Sequence, residues 1–276
     1  RMAYDIARMW MVDGISFRFD SHHPPGCSHH QKIAVFDRQL AVCGGIDLTY
    51  DRWDTRDHLE YDPRRVNWPG NTHGPWHDIT VMMTGPIVGA LFDLCDTRWQ
   101  VAGGKPLERP ERPAKKPWPD QLEAHFEDVE IGLSRTRAEC GEVTEVHEVE
   151  ELFLALIARA KRFIYIENQY FTSRKIAEAI AERLSEPDPP EIVIIHPRNA
   201  DGWLEQQAMD HARDLVAEAV ETADARDCFE IYVPYTGDTP IYVHAKLMIV
   251  DDEVLRIGSS NLNNRSLGLD SECDTT

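Results

Sequence analysis

The nine residues VHAKLMIVD, 243–251, decide how this chain is read, because HHQKIAVFD at 29–37 repeats their pattern. Both copies spell H-x-K-x-x-x-x-D, as His30, Lys32, Asp37 and as His244, Lys246, Asp251. After six intervening residues, each copy meets a turn of small residues, GGID at 44–47 and GSSN at 258–261. In a strand, successive side chains point to opposite faces, so the histidine and lysine of each copy share a face. The aspartates have the opposite parity. They point away from their histidines and are placed to tie down the strand end and its turn.

A histidine that attacks or passes a proton, beside a lysine that holds an anion, suits an oxyanion such as phosphate. An imidazole used this way needs a carboxylate to fix its tautomer. Asp78, in PWHDI, and Glu272, in LDSE, are the candidates. One such motif is weak, since a lone strand histidine is usually structural. Two copies with matching downstream turns weigh against that reading. The cluster SHHPPGCSHH (His22, His23, His29, His30) raises a metal, but zinc needs three or four converging ligands. The second copy has no such cluster, and a lysine beside the histidine repels a cation. No metal and no cofactor are expected.

The 276 residues carry 48 acidic against 29 basic groups, a formal charge of -19. That sign repels nucleic-acid backbone, so no nucleic-acid partner is expected. No apolar run reaches the ~18 to 20 residues that span a bilayer. The six scattered cysteines form no C-x-x-C pair and read as reduced, mostly buried thiols. Cytoplasmic or peripheral-membrane residence is the resulting expectation.

The stretch GGKPLERPERPAKKPWPD, 103–120, reads as a linker between a first half, 1–102, and a second half, 121–276. Strands are predicted over 15–20, 30–37, 40–48 and 76–85, then a helix over 86–100. Further on, the pattern predicts a helix over 146–161, a strand over 163–171 and a helix capped by Ser173. Strands over 191–197, 229–235, 241–251 and 254–260 and a long helix near 202–225 complete it. Alternating strands and helices imply an α/β fold. Because each motif strand is followed at once by another strand, the central sheets should be mixed.

Beyond the repeated motif, GGIDLTYDRWD, PWHDI, IYIENQYF and GSSNLNNRS make the chain resemble the phospholipase D superfamily, specifically its phosphatidylcholine-hydrolysing branch. The resemblance implies two similar α/β/α sandwich subdomains related by a pseudo-twofold, with the active site at their interface, so that a monomer suffices. It implies that His30 attacks phosphorus to form a phosphohistidine, and that His244 protonates the leaving alcohol and then activates water. Lys32 and Lys246 would hold the nonbridging oxygens, helped by Ser259 and Asn261 and by Gly45 and Asp47 of the matching turn. Asp78 and Glu272 match the positions that hydrogen-bond the histidines, while Asp37 and Asp251 complete the motifs. Asn168 and Gln169 lie in a segment that borders the site in this family. Trp53, Trp76 and Trp99 are each more readily core than acyl-chain contacts.

The substrate so implied is a glycerophospholipid at a membrane or micelle surface, cleaved to phosphatidic acid with transfer to other alcohols. A cardiolipin synthase-type phosphatidyltransferase, a nuclease of the same superfamily and a non-catalytic lipid-binding relic are the rivals. Compared with the family, both halves look truncated, as in an internal fragment of a longer enzyme.

Overall fold

A computed structural model describes residues 8–9, 11–67, 70–110, 117–198 and 216–276. In chain order the first half gives β1 (Ile33–Phe36), β2 (Leu40–Gly44), β3 (Trp76–His77), β4 (Thr80–Thr84) and helix α1 (Ile87–Val101). The second half gives β5 (Leu133–Arg137), β6 (Val146–His147), α2 (Glu148–Arg159), β7 (Phe163–Glu167), α3 (Arg174–Leu184), β8 (Glu191–Ile195) and β9 (Phe229–Tyr232). It continues with β10 (Tyr235–Thr236), β11 (Thr239–Pro240), β12 (Tyr242–Val243), β13 (Leu247–Val250), β14 (Val254–Gly258), α4 (Asn264–Gly268) and β15 (Glu272–Thr275). The fold is mixed α/β.

Eight strands form one large sheet in the order β6-β5-β15-β14-β13-β7-β8-β9. Its pairs are antiparallel except β7 with β8 and β8 with β9, so the sheet is mixed. The first half forms a three-stranded antiparallel sheet, β1-β2-β4. Alternate residues of the large sheet (Ile164, Ile166, Ile192, Ile194, Met248, Val250) are buried in one apolar core with Phe153, Leu156 and Ile157 of α2 and Ile176 and Ile180 of α3. The helical residues recur three and four apart, the spacing that turns one stripe of a helix inward. Glu148, Glu150 and Glu151 open α2 and Arg159 closes it, which matches the helix dipole at both ends. A second core joins Ala41, Cys43, Met83, Val88 and Leu91 of the first half to Cys273 of the second.

The two motif hairpins superimpose in register. Ile33 pairs with Cys43 and Phe36 with Leu40; at the matching positions Leu247 pairs with Ile257 and Val250 with Val254. Each hairpin turns through two consecutive residues of positive φ, Asp37 and Arg38 in one, Asp251 and Asp252 in the other. That is the backbone of a type I′ turn, and aspartate tolerates its left-handed region better than most residues.

Several boundaries depart from the sequence pattern. Residues 15–20 form no strand; Ile15 and Phe19 alternate but stay exposed, with no ladder to join. The stretch 76–85 divides into β3 and β4 around Asp78, and 241–251 divides into β12 and β13 around His244 and Lys246. Ser173 stands at the N-cap of α3, but its side chain makes no capping bond. Strands β5 and β15 were missed because LSRTR and ECDT look polar. The long helix near 202–225 falls largely outside the described residues, which are helical over 216–223.

Candidate active site

The histidines come from the residues just before β1 and β13, where the extended chain has left its own hairpin and runs beside the other half. His30 N donates to Ser271 O, and His244 N donates to His77 O, at 2.9 and 2.7 Å. Both contacts cross between the halves. The carboxylates follow the same exchange. His30 Nδ1 lies 3.0 Å from both oxygens of Glu272, and His244 Nδ1 lies 2.7 Å from Asp78 Oδ2. Each half therefore supplies the carboxylate that orients the other half's histidine. With Nδ1 so engaged, the other ring nitrogen, Nε2, is the one left for chemistry.

Both lysines turn back on their own motif. Lys32 Nζ donates to His30 O at 2.7 Å, and Lys246 Nζ donates to His244 O and to Gln169 Oε1, the latter at 3.4 Å. Asp47 stands 3.5 Å from Lys32. Gly45 is a close approach: a Cβ there would lie 2.4 Å from Asp78 Oδ1 and 3.1 Å from Lys246 Cδ. Only glycine keeps that wall of the site open.

Depth separates the copies. The His30 side chain keeps 28% of its surface exposed and that of His244 keeps 6%, while Lys246 is wholly buried. Burial, then the charge of Lys246, pushes the His244 pKa down to about 4 against the pull of Asp78. Burial likewise lowers Lys246 to about 7, with Lys32 adding repulsion and Asp78, Glu272 and Asp47 opposing it. With that pKa, His244 is a neutral base at neutral pH.

Glu272 is fully buried and triply held, since Ser259 Oγ and Ser266 Oγ donate to it besides His30. Ser259 is therefore first a brace for Glu272. Asn261 is also buried, and its Oδ1 has no hydrogen-bond partner among the described residues. Asn168 does not border the histidines. It is fully buried, its amide donating to Ser260 O while its Oδ1 accepts from Leu262 N and Tyr170 N. Gln169 does border the site, between Lys246 and the Tyr242 hydroxyl, to which its amide donates at 2.9 Å. Of the tryptophans, Trp76 stacks on Tyr242 at 4.5 Å and lies 5.2 Å from the His244 ring. Trp53 is exposed, and the guanidinium of Arg64 lies over its ring.

The motif aspartates sit at the far ends of the hairpins, away from the histidines. Asp251 accepts from the backbone N–H groups of Lys161, Arg162 and Phe163, at 2.8, 2.8 and 2.9 Å. Burial would raise its pKa, but those three donors win and hold it low. Asp37 is exposed, on an edge strand with no neighbour in the same place.

Sequence reasoning missed Asp274 and Arg256. They form a fully buried ion pair, and Asp274 Oδ1 accepts from Ser259 N, Ser260 N and Ser260 Oγ. This carboxylate shapes the GSSN turn. A buried charge at the polar end of a strand gives no periodic signal to find it by.

Two histidine–carboxylate pairs, exchanged between two matching hairpins, stand with two lysines whose positive charge could hold an oxyanion. Comparisons with known proteins support a place in the phospholipase D superfamily. Residues 153–275 match the family model described as the cardiolipin synthase, PLD-like domain. The chain is similar to phospholipase D alpha 1 of Vigna unguiculata, 25% identical over 87% of this chain and 44% of that protein. Phospholipase D alpha 1 of Ricinus communis is also 25% identical, over 92% of this chain and 46% of its own length. The chain thus spans under half the length of the curated relatives it matches. Nuc of Salmonella typhimurium aligns over 53% of this chain and 80% of its own, at 15% identity and a TM-score of 0.39. Among the described residues, no helix is long and apolar enough to cross a membrane.

Proposed function

We propose that this chain carries the catalytic centre of a phospholipase D, cleaving the distal phosphodiester of a glycerophospholipid to phosphatidic acid and a free headgroup alcohol. The observation that carries this reading is the exchanged pairing of His30 with Glu272 and His244 with Asp78. It fixes both imidazoles in the tautomer that frees Nε2.

In the first step Nε2 of His30, the more accessible ring, attacks phosphorus. The P–N bond forms as the bond from phosphorus to the headgroup oxygen breaks, and His244 gives that oxygen a proton. The low proton affinity of His244 fits this role once substrate is bound. A phosphodiester anion between Lys32 and Lys246 offsets the positive charge that depresses His244, and so favours its protonated form. In the second step neutral His244 takes a proton from water, which attacks phosphorus and releases His30. A primary alcohol in place of water gives transphosphatidylation. The lysines stabilise charge on the nonbridging oxygens throughout. Gly45, Asp47, Gln169, Ser259 and Asn261 shape the walls around the phosphate, and no step calls on a metal.

The test uses phosphatidylcholine micelles with a chelator and added primary alcohol, comparing wild type with His30→Ala. Phosphatidic acid and phosphatidyl-alcohol from wild type, and neither from the variant, support the proposal. His30-dependent cleavage of a generic phosphodiester without either lipid product would sink the lipid assignment and leave the two-histidine chemistry standing.

A further inference from the structure

A row of hydrogen-bonded ionisable groups runs from one half to the other beside this centre, and the mechanism above does not use it. Asp54 Oδ2 lies 3.0 Å from His58 Nδ1, and His58 Nε2 lies 3.1 Å from His77 Nδ1. His77 Nε2 lies 2.8 Å from Glu167 Oε2, and the Tyr165 hydroxyl donates to the other Glu167 oxygen at 2.7 Å. Asp54 belongs to the GGIDLTYDRWD stretch of the first half and Glu167 to the end of β7 in the second.

Counting protons along the row gives a definite answer. An ionised carboxylate only accepts, so Asp54 requires N–H at His58 Nδ1 and Glu167 requires N–H at His77 Nε2. The contact between the rings needs one more N–H, on one of the two facing nitrogens. Three protons on two imidazoles is one more than two neutral rings hold.

We infer that His58 and His77 share one excess proton, held between Asp54 and Glu167, and that this cationic pair is a positioning device for Asp78 and through it for His244. The second clause rests on the function proposed above. The geometry for it is direct. His77 precedes Asp78, its carbonyl accepts from His244 N at 2.7 Å, and it pairs with Val243 in the two-residue ladder β3–β12. Anything that shifts His77 shifts the carboxylate that orients His244.

The duplicated half supplies a comparison. The residue matching His77 is Ser271, whose hydroxyl lies 2.7 Å from His29 Nδ1, while His29 Nε2 lies 3.1 Å from Asp20. That row needs no extra proton: Nδ1 accepts from the hydroxyl, and Nε2, although near Asp20, makes no aligned hydrogen bond to it. Only the row behind Asp78 demands an extra proton.

The surroundings agree. The groups facing the pair are Asp54, Glu167 and Asp78, with Arg65 at 3.6 Å from Asp54 and the neutral Tyr165 hydroxyl on Glu167. Three carboxylates against one guanidinium favour a cation. The hydrogen bond to Glu167 raises the His77 pKa above 6.5 against its burial. Burial would raise Glu167, yet the bond and charge of His77 carry it below 4.5. The pair is therefore intact between about 4.5 and 6.5, the ordinary values of the two groups. It survives above 6.5 until pH passes the raised value of His77, where two bare ring nitrogens face each other. It is lost at the acid end as pH falls through the lowered value of Glu167.

The test follows the ¹⁵N resonances of His58, His77 and His244 in the full chain through a pH titration, in wild type and Glu167→Gln. We expect one imidazolium shared by His58 and His77 to persist above pH 6.5, a lower midpoint in Glu167→Gln by about one pH unit, and a His244 Nδ1 signal that moves with His77. On a phosphodiester substrate, Glu167→Gln should lower kcat about tenfold with KM within about twofold, and move the alkaline limb of kcat to lower pH. Glu167→Asp should restore the limb. If wild-type His58 and His77 both turn neutral near 6.5, untouched by Glu167→Gln, the shared proton is overturned. If the proton is shared but neither the kcat limb nor His244 Nδ1 follows it, the positioning role is overturned. Should no phosphodiester be cleaved at any pH, the functional reading fails, and the His244 signal alone decides the positioning.

Discussion

The two H-x-K-x-x-x-x-D copies share a turn, a register and a way of borrowing carboxylates, but they do not share a depth. The second lies in the middle of an eight-stranded sheet, where β7 passes alongside and Asp251 gathers three of its neighbour's N–H groups. The first lies on the edge strand of a three-stranded sheet, where Asp37 faces solvent. One motif letter thus does two jobs. In both copies aspartate suits a left-handed turn; only in the second does it also fasten a neighbouring strand. The lysines divide the same way, with Lys246 wholly buried and Lys32 at the rim.

This contrast can be broken or sharpened experimentally. The largest effect should come from the part the copies share: His30→Ala and His244→Ala should each cut kcat by about 10³-fold or more while circular dichroism stays unchanged. A variant keeping more than a tenth of the activity would remove that histidine from the chemistry. Next, Asp251→Ala should cost roughly 3 kcal/mol in urea unfolding, by orphaning three backbone donors, whereas Asp37→Ala should cost under about 1. Equal costs would erase the distinction drawn here. Third, Lys246→Met should raise Tm by about 3 °C or more, because a buried ammonium is replaced by an apolar chain, and Lys32→Met should leave Tm nearly unchanged. Both should abolish turnover.

The smallest effect concerns acid. His244 has its folded pKa depressed from 6.5 to about 4, so the unfolded chain binds that proton first. Its contribution to stability is present above 6.5 and is lost as pH falls from there toward about 4. His244→Asn should flatten that part of the stability profile, and an unchanged profile in that variant would remove the assignment.

Much of this was legible from strand parity. It put each histidine and lysine on one face, turned the aspartates away, and left Asp78 and Glu272 as the carboxylates to be found. Which carboxylate serves which histidine was not legible, because that depends on how β3 meets β12 and how the chain at His29 meets Ser271. Local pattern carries no record of such long-range pairing. The strand ECDT escaped notice for the opposite reason: it is polar because Glu272 and Asp274 are buried with partners, and hydrophobic periodicity cannot mark a polar interior. Ile15, Phe17 and Phe19 show the reverse error, a strand-like alternation with no sheet to join.

The exchanged carboxylates act as an interlock. A hairpin separated from its counterpart would carry a histidine and a lysine but not the group that arms the histidine. Partial folding, a cleaved backbone or a slipped docking of the two regions would part both imidazoles from their carboxylates at once. The same coupling ties the two hairpins together, since a change beside Asp78 is felt by His244 and a change beside Glu272 by His30.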